Sequence, residues 1–297
     1  MVNTVVDDTS AVHACAVPVS DEHLWEVTAA FVAEGLAAGE RVVYFEDESA
    51  DAVLERLADD RVPVREELAR GGLAIVPTDT TRAALRSPVA QVEEMLHAAI
   101  DESLAHGFAG FRMTAQTSYG IGRVGGVGLP EYDAGLDRVL RARPEARALC
   151  LYDRRRFPDD LVAEMRTRHS REITEQAVYD DGLLRVTRVA AYRLRLAGEI
   201  DHSNRPLLPR LLETALDEAM RSDTGSPDIT LDLASLRFLD VAGAVGLVHA
   251  AEGFPSSLRL VLDGVRPAVA RVLDRCGAPF AAQLGIVARP SAATAEA

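Results

Sequence analysis

Ile229-Thr230-Leu231-Asp232-Leu233 is followed by Leu236-Arg237-Phe238-Leu239-Asp240-Val241-Ala242-Gly243, and these two runs decide the reading of the C-terminal third of the chain. The first has a strand's length and apolar content. The second ends on an aspartate just before residues 242–252, a small-residue run that reads as a helix. Asp240 therefore has two compatible roles. It caps the helix, where a carboxylate accepts an orphaned N–H and opposes the positive end of the helix dipole. It also helps present a loop, Asp240, Val241, Ala242 and Gly243, to a partner. Downstream, residues 258–262 read as a strand and 266–276 as a helix. Upstream, residues 183–189 and 191–197 alternate and predict a hairpin, and a helix capped by Asp201 or Ser203 runs through Arg221. The turn Tyr179-Asp180-Asp181-Gly182 marks a boundary in front of this unit.

Before that turn, strands and helices alternate. Residues 12–19 suit a first strand, and 21–39 a helix with Ser20 as N-cap and Gly39 as its end. Strands follow at 41–45, 73–76, 108–114 and 146–152, and helices at 50–59, 89–106, 131–143 and 161–169, with a glycine-rich loop at 118–130. The strands are apolar on both faces, as in a parallel sheet covered by helices on both sides. The expectation is an α/β protein. A mostly parallel sheet flanked by helices occupies residues 11–180, a smaller α/β domain residues 183–289, and 1–10 and 290–297 are loose termini.

A formal charge of −14 over 297 residues repels polyphosphate and argues against nucleic acid as a partner. Residues 1–60 carry fourteen acidic side chains against Arg41 and Arg56, whereas residues 153–171 carry Arg154, Arg155, Arg156, Arg166, Arg168 and Arg171. The two segments either pair and solvate or leave the arginines to dock an acidic group. Cys15, Cys150 and Cys276 are odd in number and lack CxxC spacing, so they read as buried apolar fillers in a reducing compartment. No apolar run has the ~20 residues that span a bilayer, and the N-terminus lacks a basic leader. The expectation is a cytoplasmic protein with no membrane partner.

Several C-terminal motifs, in order, resemble a STAS domain of the anti-sigma-factor-antagonist type over residues 183–288. Gly198-Glu199-Ile200-Asp201 is similar to its G-E-[LI]-D signature, and the stretch from Asp232 to Gly243 to its D-L-S-x-[VL]-x-F-[LM]-D-S-S-G loop. The resemblance implies binding to an anti-sigma factor, a serine-kinase-type switch protein or another STAS protein. In that family the second serine of the loop is phosphorylated. Here Val241 and Ala242 stand in place of the two serines, so phosphoserine switching at this loop is chemically excluded.

Residues 11–173 resemble the MEDS family, a sensory domain of methanogen and methylotroph signalling proteins. The resemblance rests on His13, on Gly39-Glu40-Arg41-Val42-Val43-Tyr44-Phe45, on Phe111-Arg112-Met113-Thr114-Ala115-Gln116, and on Cys150-Leu151-Tyr152-Asp153 with Phe157. It implies a relative of the RecA/KaiC-type P-loop ATPases. The connection from first strand to first helix, residues 16–23, has no glycine and no lysine and carries Asp21 and Glu22. It cannot cradle a triphosphate as a P-loop does, so the domain reads as degenerate and non-hydrolysing. Gly120, Gly122 and Gly125 satisfy G-x-G-x-x-G, but Gly126, Gly128 and Pro130 delay the helix a dinucleotide site needs, leaving a plain or mobile loop.

Ligands of parallel sheets bind beyond the carboxyl ends of strands. Glu46, Gln116, Tyr119, Tyr152, Asp153 and Arg154 follow strand ends, and Arg112 and His13 lie within strands. They form either a satisfied structural network or a small-molecule site. No second histidine lies at metal-ligand spacing from His13, so no metal is expected, and no cofactor or catalytic constellation is implied. The combined reading is a non-enzymatic regulator whose sensory domain controls a STAS domain, with homo-oligomers open to it. The competing reading is a nucleotide- or small-ligand-binding RecA-like protein with residual enzymatic activity.

Overall fold

The computed structural model describes residues 12–46, 49–116, 128–221 and 228–289. The chain divides into two compact units, residues 1–174 and 175–297. The division falls before the turn at 179–182, because residues 177–180 belong to the second sheet.

The first unit runs β1 (His13–Ala16), α1 (Asp21–Ala37), β2 (Arg41–Phe45), α2 (Ala50–Asp59), α3 (Val64–Ala69), β3 (Leu73–Val76), α4 (Thr78–Leu85), α5 (Val89–Ala105), β4 (Phe111–Gln116), α6 (Leu129–Ala142), β5 (Ala146–Leu151), α7 (Asp159–Arg168) and β6 (Arg171–Ile173). Its strands form one sheet in the order β3-β2-β4-β5-β1-β6, every pairing parallel. Ser20 caps α1, its Oγ accepting from His23 N at 3.1 Å, and Gly39, at φ 75°, takes the left-handed conformation that ends the helix. β4 begins later than the apolar pattern predicts. After the left-handed Gly107, Ala109 N–H donates to Gly39 O, and Phe111 is the first residue paired with β2.

Register sorts the side chains. His13 pairs with Ala148 and Cys15 with Cys150; Met113 pairs with Ala148 and Val43, and Ala115 with Cys150 and Phe45. Because side chains alternate along a strand, these residues share one face, with α5 and α6 packed upon it through Leu96, Ile100, Val139 and Leu140. The opposite face carries Ala14, Ala16, Leu149 and Leu151 against Leu24, Val27 and Phe31 of α1, and Val42 and Tyr44 against Val32 and Leu36.

The second unit runs β7 (Ala177–Asp180), β8 (Leu184–Ala190), β9 (Arg193–Ile200), α8 (Leu207–Met220), β10 (Ile229–Asp232), β11 (Leu236–Leu239), α9 (Val241–Glu252), β12 (Leu260–Val265), α10 (Pro267–Arg275) and β13 (Leu284–Ala288). The sheet order is β13-β12-β10-β9-β8-β7, with β11 also on β9; β7, β8 and β9 are antiparallel and the rest parallel. Leu208 and Leu212 of α8, Leu247 and Val248 of α9, and Val269 and Leu273 of α10 join the strand leucines in one core. Each such side chain contributes roughly 1.5–3 kcal/mol on burial. α8 starts after its expected cap. Asp201 Oδ1 instead accepts from Ser203 N–H and Oγ–H at 2.8 and 2.6 Å within a turn, and the helix begins behind Pro206.

Candidate functional site

A cavity of about 380 Å³ opens between the sheet and helices α4, α5 and α6, a size that suits a small organic molecule. Its walls are apolar: Val43, Phe45, Ala74 and Val76 from the strands, Val92, Met95, Leu96 and Ala99 from α5, and Leu129 and Leu136 from α6. Gly135 lets α6 approach α5, since a Cβ there would lie 2.5 Å from Val89 Cγ1. Polar groups come from Arg41, Glu93, Glu102, Tyr132 and three threonines as well as from Asp133, Cys150 and Tyr152.

Behind Asp133, Cys150 and Tyr152 lies a buried cluster. The ligand atoms of His13, Asp133, Cys150 and His169 all lie within 4.8 Å of one another. His13 Nε2 is 3.6 Å from Asp133 Oδ1 and 3.6 Å from Cys150 Sγ. His169 Nε2 is 3.2 Å from the same Asp133 oxygen, without the alignment of a hydrogen bond. Tyr152 donates its hydroxyl to Asp133 Oδ1 at 3.2 Å. His169 Nδ1 lies 2.7 Å from the Met165 carbonyl; a carbonyl only accepts, so this nitrogen carries the proton and Nε2 faces the cluster. His13 Nδ1 faces Asp137 Oδ1 at 3.6 Å, and Arg141 Nε donates to that residue's Oδ2 at 2.6 Å.

Burial sets the protonation of these groups. Desolvation, then the nearby His169, lowers His13 to about 4. Burial raises the Asp133 carboxyl against the opposing pull of His169 and the Tyr152 hydroxyl. Burial likewise raises the thiol of Cys15 to about 12 and that of Cys150 further. The ligand-type atoms of His13, Asp133, Cys150 and His169 converge on one buried point.

Of the eight residues singled out from sequence in this unit, His13 and Tyr152 belong to this cluster. Arg112 does not reach the cavity. It lies buried against α1, where Nε donates to Glu40 Oε2 at 2.5 Å and Nη1 to Glu34 Oε2 at 2.7 Å and Phe31 O at 3.0 Å, with its guanidinium over the Phe31 ring. Gly35 leaves room for it, since a Cβ there would meet Arg112 Cδ at 2.6 Å. Glu46 caps α4 by accepting from Thr78 N at 3.0 Å. Asp153 accepts from Arg155 N and Nε at 2.9 Å and Nη2 at 2.7 Å. Arg154 is exposed beside Asp159, and Gln116, at the end of β4, is outside the cavity lining. Tyr119 and the glycine motif at 120–125 lie outside the described residues. The arginines of 153–171 pair mostly with local acids; Arg155 also reaches back to Asp21 at 2.6 Å.

Asp133 and His169 escaped sequence reading. Local spacing around His13 offers no second ligand; the fold supplies one by placing β1 between β5 and β6. Cys150, read as an apolar filler, is buried as expected, but its sulfur points at His13.

In the second unit Asp240 Oδ1 accepts from Gly243 N at 2.6 Å and caps α9. Gly243 is buried, and a Cβ there would lie within 3.1 Å of Leu239, Asp240 and Ile200 atoms. Val241 and Ala242 are exposed in the first turn, and Phe238 is exposed just before it.

The chain thus pairs a parallel-sheet domain that holds a cavity with a smaller mixed-sheet domain that has an exposed helix-start loop. Residues 12–170 match the family described as MEthanogen/methylotroph, DcmR Sensory domain, and the chain belongs to it. Residues 185–278 match the family described as Mlab, STAS domain, so the sensory domain is followed by a STAS domain. Among solved structures, the chain is similar to the flagellar accessory protein FlaH from Methanocaldococcus jannaschii at 11% identity and a TM-score of 0.45, over 63% of this chain and 77% of that one. A comparison with curated proteins finds no match. Among the described residues no helix is long and apolar enough to cross a membrane.

Proposed function

We infer that the chain is a non-enzymatic signalling regulator. A small, largely apolar molecule enters the cavity under α5 and α6, and the occupied sensory domain sets how the STAS domain binds an anti-sigma factor, a serine-kinase-type switch protein or another STAS protein. The 380 Å³ cavity, whose lining surface is predominantly apolar, carries this reading. The loop of Asp240, Val241, Ala242 and Gly243 acts as a fixed docking element, since Ala242 holds no phosphate. The β1–α1 connection supports a non-hydrolysing role: the Ser20 hydroxyl oxygen accepts from His23 N at the helix start, while Asp21 and Glu22 are held by Arg155 and Arg56.

The test uses the purified full chain. Small apolar probes such as indole and hexanol are screened by thermal shift. Purified serine-kinase-type anti-sigma factors and STAS proteins from the same genome are screened by biolayer interferometry. The expected outcome is a stabilising probe and a partner whose affinity that probe alters, with no response to Mg-ATP. Tight Mg-dependent ATP binding, or no partner in either protein class, overturns the reading.

A further inference from the structure

We propose that His13, Asp133, Cys150 and His169 form a transition-metal site, with zinc as the metal their donors select. The ligand atoms are His13 Nε2, His169 Nε2, the Cys150 thiolate and a carboxylate oxygen of Asp133.

Donor chemistry narrows the class of ion. Two imidazoles and a thiolate suit zinc and its borderline-soft neighbours, whereas magnesium and calcium require oxygen shells. Spacing fits as well. For metal–ligand distances of about 2.0–2.3 Å, the edges of a tetrahedron are about 3.3–3.8 Å. Three of the six separations among these groups, 3.6, 3.6 and 3.2 Å, lie at or close to that range, and all six are within 4.8 Å.

Charge also closes. One thiolate and one carboxylate neutralise a divalent ion, so the loaded site is neutral in an interior that penalises net charge. Binding expels the thiol proton, and any proton held by Asp133, to solvent. Without an ion, His169 Nε2 aims at a carboxylate oxygen without forming a hydrogen bond. An ion between them satisfies both.

The surroundings are those that orient metal ligands. The far nitrogen of His169 is fixed on the Met165 carbonyl at 2.7 Å. That of His13 faces the Asp137 carboxylate, itself held by Arg141. The Tyr152 hydroxyl donates to Asp133. The ligands come from β1, α6, β5 and the residue following α7, so the ion ties four elements together. Two of them, Asp133 and Cys150, also line the cavity. The proposal does not depend on the cavity accepting a small molecule, and it is read by a separate signal.

The experiment is cobalt substitution of the full chain after chelator treatment. Apo protein titrated with Co²⁺ is expected to bind one equivalent. Visible bands of a tetrahedral ion and a near-ultraviolet sulfur-to-cobalt charge-transfer band should appear, and one equivalent of Zn²⁺ should displace both. Cys150→Ser should lose the charge-transfer band. His169→Ala should bind cobalt at least tenfold more weakly, and Cys276→Ser, in the other unit, should match the parent. Asp137→Asn, outside the ligand set, should weaken zinc about tenfold while the protein stays folded. Absence of stoichiometric cobalt binding by the parent protein overturns the site, as does binding without a charge-transfer band or a band that survives Cys150→Ser. The parent spectrum decides even if a variant fails to fold.

Discussion

Arg205 Nη1 donates to Asp240 Oδ2 at 2.7 Å, while the other oxygen of the same carboxylate accepts from Gly243 N at 2.6 Å. One side chain thus ties the turn before α8 to the first turn of α9. Asp240→Ala removes both contacts, and the loss of the cap alone costs about 1 kcal/mol. Urea unfolding should show a lower midpoint with an unchanged slope. Arg205→Ala, which leaves the cap intact, should cost less.

Ala242 is exposed at the second residue of α9. A carboxylate there sits near the positive end of the helix dipole, so Ala242→Glu should change stability by less than about 0.5 kcal/mol. On the proposed docking face it places charge and bulk where the parent has a methyl group. Partner affinity, measured by biolayer interferometry, should fall at least tenfold. Unchanged affinity would remove this loop from the interface.

Arg112 is buried and held by Glu40, Glu34 and the Phe31 carbonyl. Its removal leaves Glu40 buried with, among the described residues, only Arg147 as a charged partner, 2.8 Å away. Arg112→Ala should therefore destabilise the protein by about 3 kcal/mol, the range for breaking a buried pair. Probe affinity, measured well below the unfolding transition, should stay unchanged because Arg112 does not line the cavity.

Filling the cavity separates ligand binding from stability. Ala99 of α5 lines the cavity and packs beside Leu96 and Ile100. Ala99→Leu should abolish the thermal shift produced by apolar probes while leaving the melting temperature of the free protein equal or higher. A shift that survives would place the probe elsewhere.

The β7–β8 turn carries a pH-dependent contribution. Burial alone raises the Asp181 carboxyl, but the N–H groups of Leu184 and Leu183, at 2.7 and 2.9 Å, and the Tyr179 hydroxyl outweigh it, so the group titrates below its usual range. A carboxyl depressed in the folded state stabilises fully above its unfolded value, about 3.9, and that contribution disappears as pH falls through the folded value. Asp181→Asn should flatten the acid limb of the stability profile below about pH 4. An acid limb identical to the parent's would argue against it.

The main strands were readable because they are short apolar runs bounded by glycine or acidic turns, as at 41–45 and 146–152. α4, with two threonines after Thr78, carries little apolar periodicity and was missed. β6 has three residues, too few for alternation to register. The STAS loop was legible down to the Asp240 cap, because a cap is a local device. The metal-type cluster was not. His13 and Cys150 stood out individually, but Asp133 lies on the inner face of a helix and His169 just past the end of another. Strand order, which no short window of sequence contains, brings them together.

That strand order also governs when the sensory domain can be completed. β1 opens the domain, yet its neighbours are β5 and β6, and His13 is in register with Ala148. On the ribosome, the first strand emerges more than a hundred residues ahead of its partners. It must wait while β2, β3 and β4 assemble with their helices, and loop closure over such a separation is slow. The last strand synthesised before the STAS domain is therefore one that seats the first, and the sheet of the sensory domain is complete only once β6 has been made.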